Sequence, residues 1–409
     1  MKWKLRSLSE VALIGSGAGF PTVDQGKTVG DFPFLKVSDM NLSGNEISIN
    51  RWNNMVTESV RSRLRAKAFP SGSVIFPKIG AAIGTNKKRL LNRPCCIDNN
   101  VMAITPNPHL LDQDFLYYLL LTKNLSDFAS DSNPPSIRKS VVEDWKIPVP
   151  PLADQRHIAD VLARAQGIIK LRLEAVEKSK VIMPALLVEL LGDPATNPKN
   201  WPLRSVRDLV ARFEGGKNLQ AAGEGSTEFK ILKVSAVTSG RYVETESKPT
   251  PENYAPPANH VIRMGDMLFS RANTEHLVGA TAIVRATNGR TLLPDKLWRF
   301  IWSEPVDQDF MHALFQSAYV RKQLAMLSSG TSASMRNISQ AKLFCLKLPI
   351  PPLEKQRSFS IHFNSVISIQ AQQAVALKNS LSTFEGLLAK FIGSDFDNKI
   401  TETDLVEVD

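Results

Sequence analysis

The chain has 409 residues, of which 43% are hydrophobic and 22% charged, with a mean hydropathy of −0.13; this is the make-up of a folded protein of about two to three domains and excludes a disordered or membrane-embedded one. No run of about 18 apolar residues exists, and the opening MKWKLRSLSEVALIGSG is interrupted at Ser9 and Glu10, so neither a spanning helix nor a secretory signal is expected and the cytoplasm is the default. The net charge of +10 becomes +15 when the last sixteen residues, SDFDNKITETDLVEVD with six acids and one lysine, are set aside, a balance that favours a polyanionic partner by raising its local concentration.

In chain order, WKLRSL at Trp3 comes first. Residues 34–37 and 74–76 are short apolar or β-branched runs bounded by Gly, Pro, Asn and Ser, the pattern of short strands with tight turns. Residues 114–121 read as a helix, and Asp112 and Asp114 at its start read as capping residues. The nonapeptide PVPPLADQR, Pro148 to Arg156, follows. From Asp154 to Leu191 the only glycine is Gly167, and Ile158, Val161, Leu162, Ala165, Ile168, Ile169, Val176, Leu186, Leu187 and Leu190 recur at helical spacing. Gly192 is the expected stop, and Pro184 predicts a kink or short break. About 38 residues make a rod of about 57 Å at 1.5 Å each.

The pattern then begins again. WPLRSV at Trp201 matches WKLRSL, ILKVSAV at Ile231 matches FLKVSDM at Phe34, and GDMLFSRAN at Gly265 matches GSVIFPKIG at Gly72. DQDFMHALF at Asp307 matches DQDFLYYLL at Asp112, SMRNIS at Ser334 matches SIRKS at Ser136, and PIPPLEKQR at Pro349 matches the nonapeptide at six of nine positions, 201 residues on. Offsets between 193 and 201 keep one order, so the chain is two copies of one unit with small insertions and deletions. Residues 231–234 and 267–269 repeat the strands, 309–315 the helix with Asp307 and Asp309 at its start, and a second long helix carries Ile361, Val366, Ile367, Ile369, Val375, Leu377, Leu381, Phe384, Leu387, Leu388 and Phe391 before Gly393. The fold class is mixed α/β, two tandem domains joined by two long amphipathic helices that bury their stripes on each other as an antiparallel coiled coil, with internal pseudo-twofold symmetry. The expected boundaries are 1–149 and 196–350 for the globular domains, 150–195 and 351–393 for the helices, and 394–409 for an acidic tail with no assigned role.

This order, with PPLxxQR opening each helix at Pro150, Pro151, Leu152, Gln155 and Arg156 and again at Pro351, Pro352, Leu353, Gln356 and Arg357, resembles the DNA specificity subunit of type I restriction-modification enzymes over residues 1–393. The resemblance implies two target-recognition domains that each read one part of a split sequence in double-stranded DNA. It implies helices that serve as a ruler and, from the PPLxxQR residues onward, as the docking surface for two methyltransferase subunits, which a motor endonuclease subunit can join. Catalysis, with S-adenosylmethionine, ATP and magnesium, would then lie in partner subunits.

Most protein–DNA hydrogen bonds go to phosphate and sugar, so most basic residues should position rather than specify. Lys36 and Ser38, matched by Lys233 and Ser235, end a strand in both copies and are candidate DNA contacts. Lys78 in one copy, and Arg271 with Asn273 in the other, occupy the loop after the next matched strand and have donor geometry for G or A edges. Lys87, Lys88 and Arg89 form a basic run read as phosphate binding, and Arg138 and Arg336 lie in the matched SIRKS and SMRNIS segments, where a helix start could present them to a phosphate. Trp298 and Trp302 read as core residues rather than stacking platforms.

No catalytic or metal-ligating residue emerges. SNPPS at Ser132 lacks the aromatic of an adenine-methyltransferase motif and reads as a turn, and EGGKN at Glu214 lacks the first glycine and the Ser/Thr of a phosphate loop. The six histidines are scattered, and Cys95, Cys96 and Cys345 lack disulfide or zinc spacing and are expected to be reduced and mostly buried. Two other functions fit the sequence less well: a stand-alone nucleic-acid-modifying enzyme, which would bind cofactor itself, and a sequence-blind nucleic-acid scaffold, whose binding salt alone would govern.

Overall fold

The structure, a computed structural model, describes residues 3–219, 228–251, 254–332 and 335–393, so the acidic tail lies outside the described residues. Contacts divide the chain into two units, one running to Val176 and resuming at Gln372, the other comprising Glu177–Ala371. The division cuts through both long helices instead of falling at their ends. Each unit is therefore a globular domain together with a piece of each helix.

In the first unit a five-stranded sheet runs in the order Ala12–Ser16, Val101–Pro106, Val74–Pro77, Arg89–Leu91, Ser48–Ile49, and a three-stranded sheet in the order Met55–Val56, Phe32–Leu35, Cys96–Ile97. The strand Val74–Pro77 is buried at every position because both its faces are covered: Val74 and Phe76 enter one core, with the helix Gln113–Leu121, and Ile75 enters another, with Leu91 and Ala103. The second unit repeats this frame. Its four-stranded sheet runs Val210–Gly215, Leu297–Trp302, Met267–Ser270, Thr281–Ile283, and Met267 and Phe269 face one core while Leu268 faces another. The strands expected near residues 34, 74, 231 and 267 are all present.

Both capped helices form where expected, Gln113–Leu121 and Gln308–Gln316. Asp112 Oδ1 accepts from the backbone of Asp114 and Phe115 at 3.0 and 3.1 Å, and Asp307 Oδ1 from Phe310 at 3.0 Å, which satisfies N–H groups that a helix start leaves without partners.

The first long helix is interrupted once, at Val181, between Leu152–Lys180 and Ile182–Leu191, three residues before Pro184, whereas the second is continuous over Leu353–Ile392. This is the asymmetry expected of a proline in one copy only. Gly192 has φ +73°, and a Cβ there would meet the Pro198 ring at 2.4 Å, so the stop needs glycine on both counts.

In the first unit Ile158, Leu162, Ile169 and Leu173 share a core with Leu377, Phe384 and Leu388, and Phe384 sets its ring 6.2 Å from Tyr118. In the second unit Leu187 and Leu191 share a core with Phe359 and Phe363. Within each unit, then, the opening stretch of one long helix packs with the closing stretch of the other. The expected stripe of the second helix needs correction: Ile361, Ile369 and Val375 are 70%, 50% and 60% exposed, while Phe359 and Phe363, absent from that stripe, are buried. Phe363 enters the core of the second unit and Leu377 and Phe384, seven residues apart, that of the first, so fewer residues are buried than the expected stripe names.

Trp298 is buried and Trp302 half-buried, both in the second core, as expected. Burial raises the Cys95 thiol to about 12 and that of Cys96 to about 11, while Cys345 is exposed. Among the described residues no helix is long and apolar enough to cross a membrane, and no group of three or more His, Cys, Asp or Glu is placed to hold a metal.

The second unit contains a buried ionic knot that the sequence did not reveal. Arg299, 4% exposed, donates through Nη1 to Asp266 Oδ2 at 2.7 Å and through Nη2 to Glu214 Oε2 at 2.9 Å. Glu214, the first residue of EGGKN, is thus half of an ion pair. Register places Ala103 at the equivalent position of the first copy, so the knot belongs to the second copy alone. Arg299→Met leaves Asp266 without its cation and Glu214 with Arg212 alone, and should destabilise the protein by about 3–5 kcal/mol, read as a lowered thermal midpoint against the unsubstituted chain.

Candidate nucleic-acid interface

The sites expected after the third matched strand come together with the later matched segment, and by the same hydrogen bonds in both copies. In the first, the Lys78 N–H donates to the Asn100 carbonyl at 2.8 Å, the Lys78 carbonyl accepts from Ile137 at 2.8 Å, and Ile79 bridges Ser136 in antiparallel fashion. In the second, the Arg271 N–H donates to the Lys296 carbonyl at 3.1 Å and the Arg271 carbonyl accepts from Ile338 at 2.9 Å. There the bridge is a sheet: Ala272–Asn273 pairs with Met335–Asn337, Asn273 opposite Arg336, and Ser329–Ser332 adds a third strand.

These bonds correct one alignment. Ile137 and Ile338 are counterparts, each one residue before the N-cap of a short helix, Lys139–Glu143 and Gln340–Phe344. Arg138 is therefore equivalent to Ser339, whose hydroxyl accepts from Lys342 at 3.3 Å, and Arg336 is not its counterpart. Aligning the segments on isoleucine rather than arginine would have shown it. Arg138 does stand at a helix start, exposed, whereas Arg336 lies in a strand, with Nε donating to Ser328 Oγ at 3.0 Å and Nη1 to the Gly330 carbonyl at 3.2 Å.

Each loop holds its basic residue by a light tether. Lys78 Nζ reaches Ser16 Oγ at 3.2 Å. Arg271 is oriented by Nε to the Asp295 carbonyl at 2.8 Å and by stacking 5.6 Å over Trp298, and among the described residues its two Nη groups have no partner. That leaves a planar, charged donor pair aimed by a buried ring, the form suited to a phosphate or a guanine edge. SNPPS closes as a turn, as expected, with the Ser130 N–H donating to the Ser136 carbonyl at 2.9 Å.

Residues 1–186 match the family described as the type I restriction modification DNA specificity domain. The type I restriction enzyme MjaVIII specificity subunit of Methanocaldococcus jannaschii is 24% identical over 295 residues, 68% of each chain. Among solved structures, the type I restriction-modification S subunit of M. genitalium is similar in fold over 96% of both chains, with a TM-score of 0.57 and 13% identity. A structure described as underlying complex assembly and conformational transition of the type I R-M system covers 96% of this chain and 98% of its own, with a TM-score of 0.60 and 18% identity. Residues 1–186 carry the type I specificity domain, and the chain as a whole is similar to type I specificity subunits.

The other expected residues divide by burial. Lys88 and Arg89 are each 2% exposed: Lys88 Nζ donates to Asn86 Oδ1 at 2.6 Å and the Lys123 carbonyl at 2.7 Å, and Arg89 Nη1 to the Lys88 carbonyl at 2.9 Å. Both cations serve to satisfy internal oxygens, which corrects their reading as phosphate ligands. Lys87, half-buried, reaches Asn41 Oδ1 at 2.7 Å. Lys36 precedes the short helical turn Val37–Asn41, where its N–H donates to Asp39 Oδ2 at 2.7 Å and its Nζ to Gln25 Oε1 at 3.0 Å. Its counterpart Lys233 precedes Val234–Val237 and is exposed, as is Ser38, and Ser235 donates to Glu246 Oε2 at 2.6 Å. The repeated Lys-x-Ser stands at the short turn that follows the strands Phe32–Leu35 and Lys230–Leu232, not in the bridged loops.

The residues that open the helices divide likewise. Pro150 and Pro351 are buried, Pro151 and Pro352 exposed, Leu152 and Leu353 half-buried, and Arg156 and Arg357 exposed. Gln155 and Gln356 are buried, 0% and 3% exposed, so neither can touch a partner directly.

Proposed function

We propose that this subunit is the non-catalytic reader of a type I restriction-modification complex. Each unit contacts one half of a bipartite double-stranded DNA target through its bridged loop, with Lys78 and Arg138 on one half and Arg271, Asn273 and Arg336 on the other. Lys36, Ser38, Lys87, Lys233 and Ser235 add phosphate contacts at the edges. The observation that carries this reading is the duplicated bridge: two loops bearing different side chains, held by the same backbone bonds, meet two sequences with one architecture.

The helices carry two methyltransferase subunits, and a motor endonuclease subunit can join them. Apolar side chains on the helices, Ile168 and Leu171 in the first unit and Val188, Ile361 and Ile369 in the second, are left about half or more exposed, a surface that a protein partner would cover. S-adenosylmethionine, ATP and magnesium belong to those partners.

Mapping methylated adenines in cells that express the neighbouring methyltransferase with and without this chain tests the function. One split motif should be methylated only when the chain is present; methylation indifferent to the chain would overturn the reading. Arg271→Ala in the assembled complex should weaken DNA binding and lower the slope of log affinity against log salt by about one if the residue meets a phosphate, or relax base preference at one position if it meets a base edge. Competition binding across salt concentrations separates the two.

A further inference from the structure

The repeated glutamine of PPLxxQR performs one task in both copies. Gln155 Oε1 accepts the Asp112 N–H at 2.8 Å, and its Nε2 donates to the Pro150 carbonyl at 2.7 Å and the Leu110 carbonyl at 2.9 Å. Gln356 Oε1 accepts the Asp307 N–H at 3.0 Å, and its Nε2 donates to the Pro351 carbonyl at 2.8 Å. Asp112 and Asp307 cap the helices of the two globular domains, and the prolines stand just before the two long helices.

Each amide therefore joins a domain to the helix that leaves it. The groups it joins have no ordinary partner. A capping residue's own N–H lies outside its helix, and the carbonyl of the first proline precedes the long helix, whose first turn is already closed from the second proline: Gln155 N–H to Pro151 at 3.0 Å and Gln356 N–H to Pro352 at 3.1 Å. Only a side chain that both donates and accepts can serve the two at once in a buried place. The Pro-Pro pair, with φ locked, removes the remaining freedom at the junction. Secondary contacts brace it: Arg156 lies 3.8 Å from Asp112, and the Ser360 hydroxyl donates to Asp307.

We propose that Gln155 and Gln356 are positioning residues that set the angle at which each long helix leaves its domain, and thereby hold the gap between the two half-sites to one length. The inference rests on the bipartite reading above. Neither glutamine touches DNA; each acts through the junction it closes.

The test uses the complex of this chain with its methyltransferase subunits and a panel of duplexes carrying both half-sites at the mapped spacer and at spacers one base pair shorter and longer. Methyl transfer is compared across the panel for the unsubstituted complex, Gln155→Leu, Gln356→Leu and Gln155→Glu, which keeps an acceptor but loses the donor. The expected result is that the preference for the mapped spacer over its neighbours falls by about tenfold in either leucine variant and at least as far in Gln155→Glu, whose carboxylate would face the Pro150 and Leu110 carbonyls, while the bases read stay the same. A parallel fall at all spacers, an unchanged preference, or failure of all three variants to assemble would assign the glutamines to folding alone and overturn the proposal. If the unsubstituted complex methylates no split site, it is the bipartite reading that fails, and this inference goes with it.

Discussion

Exchanging residues 1–149 for those of a relative changes one half of the methylated motif and leaves the other half and the spacer as they were. The expectation follows from the separation of the two bridged loops: Lys78 and Arg138 lie within the exchanged stretch, whereas Arg271, Asn273 and Arg336 lie outside it. The structure adds a condition on the donor. Tyr118, whose ring meets Phe384, and Asp112, whose N–H meets Gln155, touch parts of the chain that stay behind. A donor that lacks an aromatic and a capping residue at these places opens a cavity against Phe384, at a cost of about 3–5 kcal/mol, and would fail by misfolding rather than by misreading. Mapping methylated adenines for a matched donor decides the matter: a motif altered in both halves would show that the loops do not read independently.

Removing four residues around Lys170 shortens the spacer and leaves the bases read unchanged. Four residues are about 6 Å of helix and just over one turn, so the apolar stripe is nearly restored while the rod becomes shorter. At about 3.4 Å per base pair the gap should close by about two base pairs. Because Ile169 and Leu173 share a core with Leu377 and Phe384, the deletion needs a matching one in the second helix to keep that core in register. A complex with both deletions that methylates the original spacing would refute the ruler.

Much of the frame was legible because it is written twice. A strand such as VIFP or MLFS is weak evidence alone, but two runs at corresponding places in one chain reinforce each other, and Asp-x-Asp before an apolar run is a cap with a mechanism. Pro184, present in one copy, located the only long-helix break among the described residues to within three positions. The reading weakened where a side chain's destination depends on distant residues. Lys87, Lys88 and Arg89 look alike in sequence; burial separated them, because the carbonyls of Lys123 and Met40 come from segments tens of residues away. Arg138 and Arg336 looked equivalent because similar letters surround them, while the backbone bonds of Ile137 and Ile338 match different residues.

By itself the sequence determined the duplication, the mixed α/β class, the two long helices and the positions of their stops, since periodicity, caps and glycines act locally and are visible within a few residues. Tertiary structure alone decided which cations face solvent, which apolar residues of the helices are buried, and what the glutamine of PPLxxQR does. Each of these depends on hydrogen-bond partners and packing surfaces that the chain brings together only after folding, and the free energy of a buried polar group is set by those partners rather than by its neighbours in sequence.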